Sequence, residues 1–322
     1  MVAVLERVRE KPRSLIGPGI GLALVVALLL NGEKGQGSLV IGLITGAAYS
    51  LIAMGIVLIY KSSGVFNFAQ GEFGTVAIFV LFLLRANDVP YVVAFVLAVL
   101  AAALLGFVVE VGVIRPLFDA PRVTLLVATA GVALLAIGVQ VWLGDNTLRN
   151  VEPAFSRGDR VRPLGIFISD QRLLILAIVA VVGVLLALFF RTNLGLAVLA
   201  ASQEATATNL VGISVRRLSG LVWVQAAVLG GLAGVLLGPT ESFTPGFVTS
   251  RYLILGFTAA VLGGMTSLPG AVLGGVIVGI GEAIGAAGTL GDAIPGGGFV
   301  ITFLLLVAIL ALRPQGLLGR AA

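Results

Sequence analysis

The stretch Val65–Gly74 reads VFNFAQGEFG and lies between two long apolar runs. Asn67, Gln70 and Glu72 fall within six positions there, interleaved with Phe66, Phe68 and Phe73. One polar residue would fit a helix boundary; three need a reason. In one reading the segment is a broken or re-entrant membrane helix whose polar groups face a cavity. In the other, Asn67 and Gln70 cap backbone groups near the cytoplasmic boundary. Depth separates the two, because the first requires Gln70 and Glu72 to face a cavity or a partner subunit.

The flanking sequence puts this stretch in a bilayer. Of 322 residues, 59% are hydrophobic and 11% charged, against about 25% charged in a typical soluble domain. That is too little polar surface to cover a soluble core. The 44 glycines fit the same class, since glycine is commoner in membrane helices than in soluble ones. The net charge of +5 comes from dispersed arginines and gives no support for nucleic-acid binding. Cys and His are both absent. Disulfides, thiolate nucleophiles, imidazole bases and Cys/His metal sites are thereby excluded. No catalytic residue, metal or cofactor is expected.

A spanning helix takes about 20 mostly apolar residues. Candidate spans fall near 15–31, 38–60, 65–84, 91–114, 123–143, 173–190, 217–238, 252–265, 268–287 and 298–312. The third carries the polar cluster and the eighth is short, so either can be broken or re-entrant. The expected fold is all-α: a polytopic membrane bundle of eight to ten transmembrane helices in a single transmembrane domain, residues 1–322. The basic start followed by an apolar run has the outline of a signal peptide. NGEKGQG after it shows no small-residue cleavage pattern, so an uncleaved first helix is expected.

With both termini cytoplasmic, the inside segments hold twelve basic residues against four acids, and the outside segments eight of each. The positive-inside rule then favours a multi-pass cell-membrane protein with N and C termini in the cytoplasm. The extracytoplasmic loop 144–172, with Pro153, Pro163 and mixed charges, reads as an ordered, turn-rich connector. The long inner segment is 191–217. Small-xxx-small spacing recurs, as in Gly42 with Gly46, Gly230 with Gly234, and Gly275 with Gly279. It predicts close backbone approach in a tight bundle. Pro269, between two glycine pairs, breaks or turns the chain.

Three carboxylates interrupt apolar runs: Glu72, Glu110 and Glu282. An ionised group near the bilayer centre costs roughly 2.5–3.5 kcal/mol on insertion scales, which makes each a functional candidate. Glu110 stands five residues before Arg115, so an ion pair or snorkelling is expected. Glu282 has no local partner, leaving a cavity role and an interhelical hydrogen bond equally open. Gln140 and Gln225 also sit mid-run, where interhelical hydrogen bonding is the plainer expectation. None of the three lysines, Lys11, Lys34 and Lys61, follows a glycine. The phosphate-binding loop G-x-x-x-x-G-K-[ST] is therefore absent, and any ATP of that type is hydrolysed elsewhere.

The motifs in order resemble the permease subunits of branched-chain amino-acid ABC importers, in particular the first of their two related permeases. The signature runs through Tyr49, Leu51, Ile52, Ala53, Gly55 and Tyr60, then Asn67 to Glu72. EVGVIRPL, NLVGISVRRLSGLVWVQAAVLGG, VLGGMTSLPGAVLGG and LALRPQGLLG follow, so the likeness runs from about Gly42 to Gly319. Two departures stand out: Gln70 replaces a frequent His, and TVAIFV replaces a Met-x-Gly-Ala-Tyr continuation.

The resemblance implies two ATPase subunits, a second homologous permease, an extracytoplasmic solute-binding protein and a lipid environment. It implies import by alternating access along a pathway needing only a few hydrogen-bonding groups between apolar walls. Asn67, Phe68, Gln70 and Glu72 suit that role, with Gln140, Gln225 and Glu282 as further candidates. Residues 200–213 become the coupling helix that docks on an ATPase, through Gln203, Glu204, Asn209, Gly212 and Ile213. Urea, short amides or another small solute remain alternative cargoes, and a stand-alone channel or secondary transporter an alternative class.

Overall fold

The computed structural model describes residues 32–155, 168–286 and 295–319. The expected span at 15–31 and the middle of the outer loop lie outside the described residues. The helices are α1 (Gly32–Ser63), α2 (Gln70–Ala86), α3 (Tyr91–Val109), α4 (Arg122–Gly144), α5 (Asp170–Phe189) and α6 (Asn193–Gln203). After them come α7 (Ala205–Leu210), α8 (Val215–Leu237), α9 (Leu253–Gly263), α10 (Leu268–Ala286) and α11 (Gly297–Leu312). A π-turn at Glu110–Ile114 extends α3, and another at Val248–Tyr252 leads into α9. Among the described residues there is no strand, only one isolated antiparallel bridge between Arg149 and Phe243.

Among the described residues six helices, α1, α3, α4, α5, α8 and α10, are each long and apolar enough to cross a bilayer. The Val248–Gly263 helix and α11 are apolar but shorter, as is α2 at 17 residues. The protein is a polytopic helical membrane bundle. α1 and α8 form its centre, 78% buried over their apolar windows, whereas α3, α4 and α5 are only 28%, 22% and 17% buried. Composition explains the difference. Along α3 the buried positions are Ala94, Ala98, Ala102 and Gly106, one small residue per turn, and Val109 at its end. Leu100, Leu104 and Phe107 on its other faces are left exposed, as lipid contact requires.

Small residues also set the central seams. A Cβ on Gly46 of α1 would lie 2.6 Å from the Gly275 carbonyl oxygen of α10. One on Gly74 of α2 would lie 2.7 Å from the Gly230 carbonyl of α8. Backbones this close leave no room for a side chain.

The seams reveal an inverted repeat. α8 runs parallel to α2 (Gln70 beside Gly230, Ile78 beside Gly238) and antiparallel to α3 (Ala102 beside Gly231, Gly106 beside Ala227). α1 runs parallel to α9 (Tyr49 beside Tyr252, Ile52 beside Gly256) and antiparallel to α10 (Gly42 beside Gly279, Gly46 beside Gly275). The first helix of each half is thus packed into the other half. Because α8 runs with α2, it runs against α1, so the halves have opposite orientations, an arrangement common among transporters.

Candidate functional site

The expected span 65–84 is a broken one. α1 stops at Ser63, Gly64 takes φ +66°, and the chain continues without helix to Gln70. Asn67 holds the break open, its Oδ1 accepting the Ala69 N–H at 2.9 Å and so competing with helical bonding. The Phe68 N–H donates to Thr129 Oγ1 of α4 at 3.2 Å. α2 therefore begins inside the bundle. At 1.5 Å per residue, Gln70 lies about 24 Å along the axis from the other end of α2 at Ala86, less than the roughly 30 Å of a hydrocarbon core.

Each polar side chain of this stretch has a defined place. Gln70 is buried between Gly55 of α1 and Gly230 of α8, and its Nε2 donates to the Ala226 carbonyl at 2.9 Å. Glu72, also buried, accepts a hydrogen bond from Gln140 Nε2 of α4. Gln140 Oε1 in turn accepts the Gly246 N–H at 3.0 Å, and Thr75 Oγ1 accepts the Val248 N–H at 3.1 Å. The start of α2 is thus tied to the start of the Val248–Gly263 helix, so the two broken elements meet. Asn67 lines a cavity of about 10 Å³, room for one water, with Ser63, Thr129 and Trp223. Asn67 Nδ2 and Gln70 Oε1 are buried without a hydrogen-bond partner among the described residues. Phe68 is 37% exposed at the edge of the cluster.

Glu282 and Gln225 lie apart from this group. Glu282 Oε2 accepts a hydrogen bond from the Tyr49 hydroxyl, joining α10 to α1. Tyr49 packs on Tyr252 at 5.8 Å between ring centroids, and Arg251 beside it pairs with Glu241 at 2.6 Å. Sequence reasoning passed over Arg251 and Glu241, and named Tyr49 in the signature without seeing it as the partner of Glu282. The detectable signal was Arg251 itself, a charge immediately before the expected span 252–265. Gln225 is half-buried on α8. Glu110 forms the expected pair: Arg115 Nη2 donates to Oε2 at 2.7 Å and Nε to Oε1 at 3.3 Å, beside Gly220 of α8.

The inner segment 200–213 is not one helix. α6 ends at Gln203, and Glu204 turns extended at φ −148° to cap α7, its Oε1 accepting the Thr206 N–H at 3.3 Å. α7 lasts six residues, to Leu210, and the turn after it passes through Gly212, whose φ of +85° suits glycine. Asn209 Oδ1 accepts the Val215 N–H at 3.3 Å, and the Ile213 N–H bonds the Thr208 carbonyl at 3.2 Å, folding the turn back onto α8. Gln203, Glu204, Asn209 and Gly212 are exposed, and Leu210 and Val211 stand out at 83% and 73% exposure. α6, the end of α1 and the C-terminal segment share one end of the bundle. There Lys61, Arg122, Gln203, Pro269 and Leu318 line an open cavity of about 1690 Å³.

Inverted halves, polar broken helices that meet inside the bundle and a short exposed turn at one end define a membrane transport permease. The chain belongs to the family described as "Branched-chain amino acid transport system / permease component", which matches residues 38–310. The high-affinity branched-chain amino acid transport system permease protein BraD of Pseudomonas aeruginosa is 33% identical over 296 residues, 88% of this chain and 95% of its own. The corresponding LivH protein of Escherichia coli K12 is 29% identical over 293 residues, 87% of this chain and 94% of its own.

Proposed function

We propose that this chain is the membrane subunit of an ATP-driven importer that carries branched-chain amino acids inward by alternating access. The observation that carries the reading is the family match over residues 38–310 in a chain without a P-loop lysine. Hydrolysis then falls to two ATPase subunits, capture to an extracytoplasmic binding protein, and the other wall of the pathway to a second, homologous permease. The end bearing Lys61, Arg122 and the C-terminal segment faces the cytoplasm, as its basic residues favour.

The exposed turn of Gln203, Glu204, α7, Gly212 and Ile213 docks on an ATPase. Its support is the protruding pair Leu210 and Val211 on an otherwise small-residue helix. Phe68 is already part-exposed, whereas Gln70 and Glu72 are closed off inside the chain and face no cavity; they reach the solute only when α2 parts from α4 and from α1 and α8, which frees the unpaired Asn67 Nδ2 and Gln70 Oε1 to bond it. Gln225 and Glu282 contribute from α8 and α10. Glu204→Arg and Gly212→Arg are expected to abolish both uptake and ATPase stimulation by loaded binding protein, with the complex still assembling on a sizing column. Full uptake in both variants would sink the docking assignment.

A further inference from the structure

Arg251, Glu241, Glu282 and Tyr49 gather where α9, α10 and α1 meet, and none of them is absorbed by the polar cluster of α2. α9 and α10 form a hairpin closed at Gly263 against Gly270. Counted along the two axes, Arg251 and Glu282 both stand about 20 Å from that hairpin, inside a core of about 30 Å. An ion pair at such depth is costly unless it is paired or used. Here the Arg251–Glu241 pair is also open, with the two side chains 44% and 34% exposed. Glu282 is only half-buried and lies within electrostatic reach of Arg251. Arg251 thus pairs directly with Glu241, while Glu282 is held by the Tyr49 hydroxyl and has no ion pair among the described residues.

Beside these charges runs an apolar strip. Ile254, one turn below Arg251, is 52% exposed. Phe257 follows, with Phe66 against it at 4.7 Å between ring centroids and Phe68 against Phe66 at 4.7 Å. The strip from Arg251 to Phe257 is about 9 Å long. A cation and an unmatched carboxylate at one end and an aliphatic–aromatic wall at the other complement a zwitterion with a branched apolar side chain.

We infer that this face is a solute-recognition site for an aliphatic α-amino acid. Arg251 takes the carboxylate in place of Glu241, Glu282 held by Tyr49 takes the ammonium, and Ile254 and Phe257 meet the side chain. The inference rests on the import function proposed above and adds the residues that read the solute.

The absence of cysteine from the chain permits a direct test in the assembled transporter, without binding protein, in nanodiscs. Ile254→Cys is labelled with a small water-soluble thiosulfonate, with the unsubstituted complex as background. Leucine is expected to slow labelling in a saturable way. Leucinol, which lacks the carboxylate, and 4-methylvalerate, which lacks the ammonium, should each need about tenfold more for the same protection, as losing a charge-assisted hydrogen bond implies. Adding Arg251→Gln should abolish the difference between leucine and leucinol, and Arg251→Lys should restore part of it.

Equal protection by all three compounds, or none by leucine, overturns the site. So does failure to label Ile254→Cys at all, which would mean a second permease covers this face. Leucine uptake by the unsubstituted complex, measured alongside, separates the two levels. Uptake without protection removes this site alone, whereas absence of uptake removes the proposed function beneath it.

Discussion

At the residue scale, the buried polar groups differ in what they would cost if disturbed. Glu110 is fully buried, while its partner Arg115 is 40% exposed. Removing the arginine strands a carboxylate, whereas neutralising both removes the problem. Arg115→Ala is expected to destabilise the solubilised protein by about 2 kcal/mol, and Glu110→Gln in the same chain should recover part of the loss. Thermal unfolding in detergent reads both, and an unchanged midpoint in Arg115→Ala would show the pair to be idle. This pair was legible in the sequence because its members lie five residues apart in one segment. The Tyr49–Glu282 bond, spanning 233 positions, was not. Glu72 was flagged for its polarity alone; that Gln140 is its partner depends on how α4 packs, which no local pattern records.

At the element scale, apolar runs give helices reliably and breaks poorly. Spans expected at 91–114, 123–143 and 217–238 became α3 with its π-turn, α4 and α8, within about two residues at most ends. The break before Gln70 was expected from its polar cluster, whereas the interruption at Glu204 within 200–213 was not. Both come from single side chains, Asn67 and Glu204, bonding N–H groups two residues ahead. Glycine spacing at Gly42/Gly46, Gly230/Gly234 and Gly275/Gly279 marked the tight seams without saying which helix each would meet. The structure separates them: Gly46 faces the Gly275 backbone, whereas a Cβ on Gly131 of α4 meets nothing within 4 Å. Gly46→Val is expected to destabilise by more than about 2 kcal/mol through overpacking, while Gly131→Ala should be neutral or slightly stabilising. Membrane yield and melting temperature of the two variants decide it, and equal behaviour would contradict the seam.

For the whole molecule, the membrane class followed from composition and the family from motif order. The inverted repeat followed from neither. It lives in which helix runs parallel to which, and the two halves share too little sequence for one chain to expose it. Its consequence is mechanical. With α1 lodged against α9 and α10, and α8 against α2 and α3, neither half can tilt without moving the first helix of the other. The broken starts of α2 and of the Val248–Gly263 helix meet at the Thr75–Val248 hydrogen bond, where the halves touch. In the function proposed, a push at α7 would pass into α8, onto which the turn folds, and so to that meeting point.

The most direct test of ATP-driven import is leucine accumulation in proteoliposomes containing this permease, its partner permease and the ATPases, with loaded binding protein outside. The account predicts accumulation that requires internal ATP and every subunit and is stopped by vanadate. Leucine movement by this chain alone, driven by an ion gradient and indifferent to vanadate, would contradict it.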